Sequence, residues 1–187
     1  MSRSGNDLAD LAIQPKGPGR RWKLEDATAV IDSGLTNRNF EQGKAMFAAS
    51  QCASCHTMKG EGGVAGPDLT QLGTRFSTKD ILEAIIDPNK TISDQYGSTV
   101  FYLKDGGSVV GRLIKEEGDH YVISQNPFAP QIVRDIPKTD VARTRVSDVS
   151  PMMPGLINRL NSEELKDLMA YLVAGGDQNN AVYTGKK

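Results

Sequence analysis

The sequence predicts a mainly α-helical domain interrupted by a small antiparallel β unit, and three observations predict it. Three segments carry a capped, amphipathic helical pattern. Between the second and third, residues 97–146 change to short β-branched and aromatic runs separated by turn chemistry. The only two cysteines and one of the only two histidines fall within five positions, "CASCH", directly after the first helix. At 187 residues the chain has room for one ordinary domain carrying an insertion. Its 38% hydrophobic and 24% charged composition is that of a water-soluble fold, with no apolar run of the roughly 20 residues needed to span a bilayer. A net charge of −1 excludes a general nucleic-acid binder, which needs a basic excess to neutralise phosphates.

Residues 1–35, with "QPKGPGRR", read as an N-terminal extension or linker whose later part, Leu24, Ala27, Val30 and Ile31, packs as a short helix. The start lacks the apolar core and cleavage site of a secretory signal. In "NRNFEQGKAMFAAS" Asn39 is placed to cap, Gln42 to complete a capping box, and Phe40, Gly43, Met46 and Phe47 to form one stripe. "STKDILEAIIDPNK" repeats the pattern with Ser77 and Asp80, an apolar face of Ile81, Leu82, Ile85 and Ile86, and Pro88 as terminator. "LNSEELKDLMAYLVAGG" has Asn161 and Glu164 as a box, Leu160 and Leu165 as a hydrophobic staple, and Gly175 and Gly176 as a stop. Between the second and third of these helices, "STVFYL", "GSVVGRLI", "HYVISQ", "QIVRDI" and "VARTRV" predict four or five short strands, a small antiparallel β-barrel or curled sheet.

Cys52, Cys55 and His56 form C-x-x-C-H, the attachment signature of c-type haem. Two thiols on one turn can each form a thioether to a vinyl group of the porphyrin, while the adjacent imidazole meets the iron. A thioredoxin-like dithiol instead sits between a strand and a helix, whereas here a helix precedes and a Gly-rich loop follows. A structural zinc site needs four ligands at regular spacing, which this chain does not offer.

The segments "GKAMF" with "CASCH", "GPDLT", "ILEAIIDPNKTISDQY" and "MPGLINRLNSEELKDLMAYL" resemble a class I c-type cytochrome, specifically the haem-binding domain found C-terminally in planctomycete and verrucomicrobial dehydrogenase-like proteins. The resemblance implies a cytochrome c fold of three or more helices around one covalent haem c, formed by residues 36–96 and 147–175, with 97–146 as a β insert and 176–187 as a C-terminal tail. It implies that the Pro67 carbonyl orients His56, and that the sixth iron ligand is Met153 of "SPMMPGL", with Met152 as the alternative. Of the 97 positions separating His56 from Met153 the insert accounts for 50, leaving a span suited to one helix and two loops. Met46 and Met169 fall on helix stripes and read as core, and Met58 is too near His56 to reach the opposite face. His120 offers bis-histidine ligation as a lesser alternative; Arg75, Arg159 and Tyr96 are candidates for contacts to haem propionates. Gly43 and Tyr171 resemble the pair at which terminal helices cross in this fold.

The implied function is outer-sphere one-electron transfer between a dehydrogenase donor and a respiratory-chain acceptor, without an enzymatic site of its own. The alternative is a haem-based ligand-binding or sensor module with a labile methionine. Haem attachment of this type implies a periplasmic or otherwise extracytoplasmic location, with the export signal outside this sequence.

Overall fold

The computed structural model describes residues 13–184. Two hydrophobic cores organise them. The first is helical. It is built by α1 (Leu24–Asp32), α2 (Phe40–Ala49), the single turn α3 (Cys52–Cys55), a two-residue-per-strand hairpin of β1 (Thr57–Met58) and β2 (Glu61–Gly62), the short α4 (Leu72–Arg75) and α5 (Thr78–Ile86). Strands β3 (Thr99–Leu103), β4 (Ser108–Glu117), β5 (His120–Ser124), β6 (Val133–Pro137) and β7 (Val141–Val146) form the second unit. The chain then returns to the first through α6 (Ser162–Val173) and α7 (Ala181–Thr184).

Caps set the helix starts. The Ser77–Asp80 and Asn161–Glu164 capping boxes are both reciprocal, so each satisfies two end groups that water would otherwise have to serve. Leu160 and Leu165 are fully buried on either side of the second box. At α2 the expected box is replaced by a tertiary contact. The Asn39 side chain accepts from the Gln42 amide as read, but the Asn39 amide donates to the Asp167 carboxylate of α6 at 3.1 Å rather than to Gln42. That bond ties the start of α2 to α6, and the two helices cross at Gly43. A Cβ there would lie 2.4 Å from the Asp167 carbonyl oxygen and 2.9 Å from the Tyr171 Cβ, so only glycine permits the approach. Tyr171 packs at 5.5 Å on both Phe40 and Phe47, and Met46, Leu82, Leu165, Leu168, Met169 and Leu172 fill the centre.

The N-terminal segment, read as an extension, is docked over its described part; residues 1–12 lie outside the described residues. Trp22 is buried, its indole N–H donates to the Leu160 carbonyl at 3.1 Å and its amide to the Asn158 side chain at 3.1 Å. The Asn161 side chain donates to the Gly17 carbonyl, and the Lys16 amide to the Glu164 carboxylate. The arm therefore braces the loop that leads into α6.

The insert is an open five-stranded antiparallel sheet in the order β6-β5-β4-β3-β7, with its own small core of Phe101, Val109, Ile123 and Ile136. A closed barrel, one of the two forms expected, is corrected: no ladder joins β6 to β7. The sheet nevertheless curls. Flat, its outer strands would stand about 19 Å apart, but the three residues Lys138–Asp140 joining β6 to β7 reach at most about 14 Å. Register shifts in β3 at Tyr102/Leu103 and in the long β4 at Leu113/Lys115 supply the bend.

Candidate functional site

The site begins where α2 ends. Gln51, in the left-handed region at φ 63°, turns the chain into α3, and the i, i+3 spacing sets Cys52 and Cys55 on one side of that single turn. The His56 amide closes the turn on the Cys52 carbonyl at 2.9 Å, and its own backbone is extended. The Gly-rich loop then folds back over the turn. The Gly63 amide donates to Ala53 at 2.9 Å, the Gly66 amide to Cys55 at 2.7 Å, and the Thr57 hydroxyl to the Gly63 carbonyl at 2.8 Å. Gly66 lies against the imidazole itself: a Cβ on it would stand 2.6 Å from Cε1. The loop is thus a wall of backbone pressed on one side of the ring, which its glycine content signalled only as a lack of regular structure.

His56 Nδ1 lies 2.9 Å from the Pro67 carbonyl oxygen. A carbonyl can only accept, so Nδ1 carries the proton and donates. In the neutral ring Nε2 keeps its lone pair. Burial pushes the ring's pKa down and so favours that neutral form, against the opposing pull of the Pro67 bond. Both thiols are free; burial raises the Cys52 pKa to about 12 and raises that of Cys55 as well. A thiol held protonated is a poor nucleophile, unlike the activated thiolate of a dithiol oxidoreductase.

Met152 is half-buried against the helical core, and its amide donates to the Ser150 hydroxyl at 3.1 Å. Met153 follows in the same loop and is 48% exposed. The Ser150 amide donates to the Asn89 side chain at 2.8 Å, which ties this loop to the chain just beyond α5. Met46 and Met169 are buried, as expected of core residues, and Met58 is buried as well. His120 is engaged with the Asp119 carboxylate at 2.7 Å, at the start of β5. Of the residues considered for propionates, the Arg75 guanidinium lies over the Phe76 ring at 5.8 Å and Arg159 donates to Gln14 at 3.4 Å. Tyr96 lies under the guanidinium of Arg112 at 5.0 Å. Sequence reasoning did not single out Arg112, which donates to the Ala65 carbonyl of the Gly-rich loop at 3.2 Å. No local pattern links positions 65 and 112.

The donor set fits a covalently bound haem. Two unpaired thiols share a turn, the next residue presents a neutral imidazole whose second nitrogen is fixed by a carbonyl, and a glycine keeps the ring's side clear of a Cβ. Among the described residues no group of three or more His, Cys, Asp and Glu could hold a bare metal ion. None of the described helices is long and apolar enough to cross a membrane.

The family model for cytochrome c matches residues 40–117, from the start of α2 to the end of β4. The match supports a c-type cytochrome, with the haem iron and redox-based electron transport that go with that family. It spans Cys52, Cys55, His56 and Pro67 and stops short of the methionine pair. No curated protein matches the chain.

Proposed function

We propose that the chain is a monohaem c-type cytochrome that relays single electrons by outer-sphere transfer. One observation carries this reading: the C-x-x-C-H turn holds His56 with Nδ1 committed to Pro67. Cys52 and Cys55 would hold the porphyrin through two thioethers, each formed by adding an S–H across a vinyl double bond, which needs no oxidant. His56 Nε2 and Met153 would ligate the iron, with Met152 as the competitor of Met153, and the haem when bound supplies a reversible one-electron iron couple. Core packing already occupies the Met152 side chain, whereas Met153 is exposed on a loop pinned at Ser150. Thioether ligation raises the potential relative to two nitrogen ligands, which suits an electron acceptor. The resemblance of the helical segments to dehydrogenase-linked haem domains supports an extracytoplasmic dehydrogenase as donor, possessed by or separate from the same polypeptide, and a respiratory-chain component as acceptor.

The ferric protein is expected to show the long-wavelength absorption band of sulfur-ligated haem. Met153→Ala abolishes the band and Met152→Ala preserves it. The opposite pattern transfers the ligand to Met152, and a band surviving both substitutions overturns methionine ligation. Rapid carbon monoxide binding by the native ferrous protein would favour a ligand-binding module over an electron carrier.

A further inference from the structure

A cleft of about 290 Å³ runs along the seam between the helical unit and the insert. Its walls include Ala65, one residue before the glycine pressed on His56, and Pro151, one residue before the methionine pair. It therefore opens between the loop pressed on His56 and the loop that carries the methionine pair. The opposite wall belongs to the insert. Arg112 of β4 is the only Lys, Arg, Asp or Glu lining the cleft among the described residues, which Tyr96, Ser147 and Ser150 also line. Its guanidinium is held from two sides, by the Ala65 carbonyl at 3.2 Å and the Tyr96 ring at 5.0 Å. Among the described residues no carboxylate forms an ion pair with it, although the side chain is half-buried. A guanidinium fixed but unneutralised in partly buried surroundings is built to receive an anion, and its planar fork suits a carboxylate.

We propose that Arg112, positioned by Tyr96 and the Ala65 carbonyl, binds a propionate carboxylate at the haem edge, so that the β insert is a working wall of the cofactor site and sets its potential. The inference rests on the haem reading above. A cation close to the iron favours the reduced state, which carries one positive charge fewer, and therefore raises the potential. Arg112→Lys keeps the charge and Arg112→Gln removes it.

The test is redox titration of the haem-loaded protein and both variants, with intact mass confirming equal haem attachment. Arg112→Gln is expected to lower the midpoint by a severalfold to tenfold change in the reduction equilibrium, a decade being 59 mV for one electron. Arg112→Lys is expected to recover most of that shift, and the melting temperatures of the two variants to differ little. An unchanged potential in Arg112→Gln overturns the proposal, as does an equal shift in both variants, which marks a packing role. A native protein carrying no covalent haem fails the underlying reading instead, so the two failures are distinguishable by mass.

Discussion

At position 66 a single hydrogen atom decides whether the imidazole of His56 can lie where it does. A Cβ would stand 2.6 Å from Cε1 and 2.8 Å from Nδ1, and the ring cannot swing away without losing the Pro67 bond. Gly66→Ala is therefore expected to lower the haem-to-protein absorbance ratio and to destabilise the fold by about 1–3 kcal/mol, the usual range for forced overpacking. A native ratio and an unchanged urea midpoint would contradict this. Cys52, Cys55 and His56 were legible because their chemistry is local: three scarce residues in five positions. Arg112 was not, because its partners Ala65 and Tyr96 come together with it only through tertiary packing. Residue identity carries no trace of such a contact.

The helices were legible for a similar reason. Ser77–Asp80 and Asn161–Glu164 announce their boxes three residues apart, and the structure forms both. Asn161→Ala is expected to cost about 1 kcal/mol in urea denaturation. Gly43→Ala sets two effects against each other. Helix propensity favours alanine by about 1 kcal/mol, but the new Cβ would meet the Asp167 carbonyl oxygen at 2.4 Å, so α2 and α6 must separate. The clash wins, and the midpoint is expected to fall. The turn at Cys52–Cys55 and the short helix through Leu24, Ala27, Val30 and Ile31 form as expected, whereas the docking of the chain before α1 escaped the reading, since it holds through Trp22 and backbone bonds rather than a stripe.

The same α2–α6 junction gives a pH dependence. Burial raises the pKa of Asp167, against the lowering influence of the Asn39 amide and Arg38. The folded state thus holds a proton more tightly than the unfolded chain, whose carboxyl titrates near pH 4. This carboxyl's contribution is most favourable below that value, declines as pH rises through the folded pKa, and is flat above it. Asp167→Asn keeps an acceptor for the Asn39 amide, so its stability relative to the native protein is expected to improve between about pH 4 and the end of that window. Urea midpoints across the range check the trend; a constant difference would contradict it.

For the whole molecule, two cores meet along one seam, with the sheet from Thr99 to Val146 standing in the chain between α5 and the methionine loop. The strand-like runs predict four or five strands and five form, but sheet closure depends on whether the last two edges meet, and the order β6-β5-β4-β3-β7 leaves them unpaired despite the curl. The seam itself, with Arg112 reaching the loop over His56, turns an apparent embellishment into part of the site's surroundings. A covalent tie between the Cys52–Cys55 turn and an iron porphyrin underlies every functional role given to these residues. Mass spectrometry of the denatured, acid-extracted protein checks for it. One haem-sized increment is expected to stay with the polypeptide and to move to the peptide containing Cys52 and Cys55 on digestion. Pigment extracted into the organic phase, leaving the bare chain mass, would contradict it.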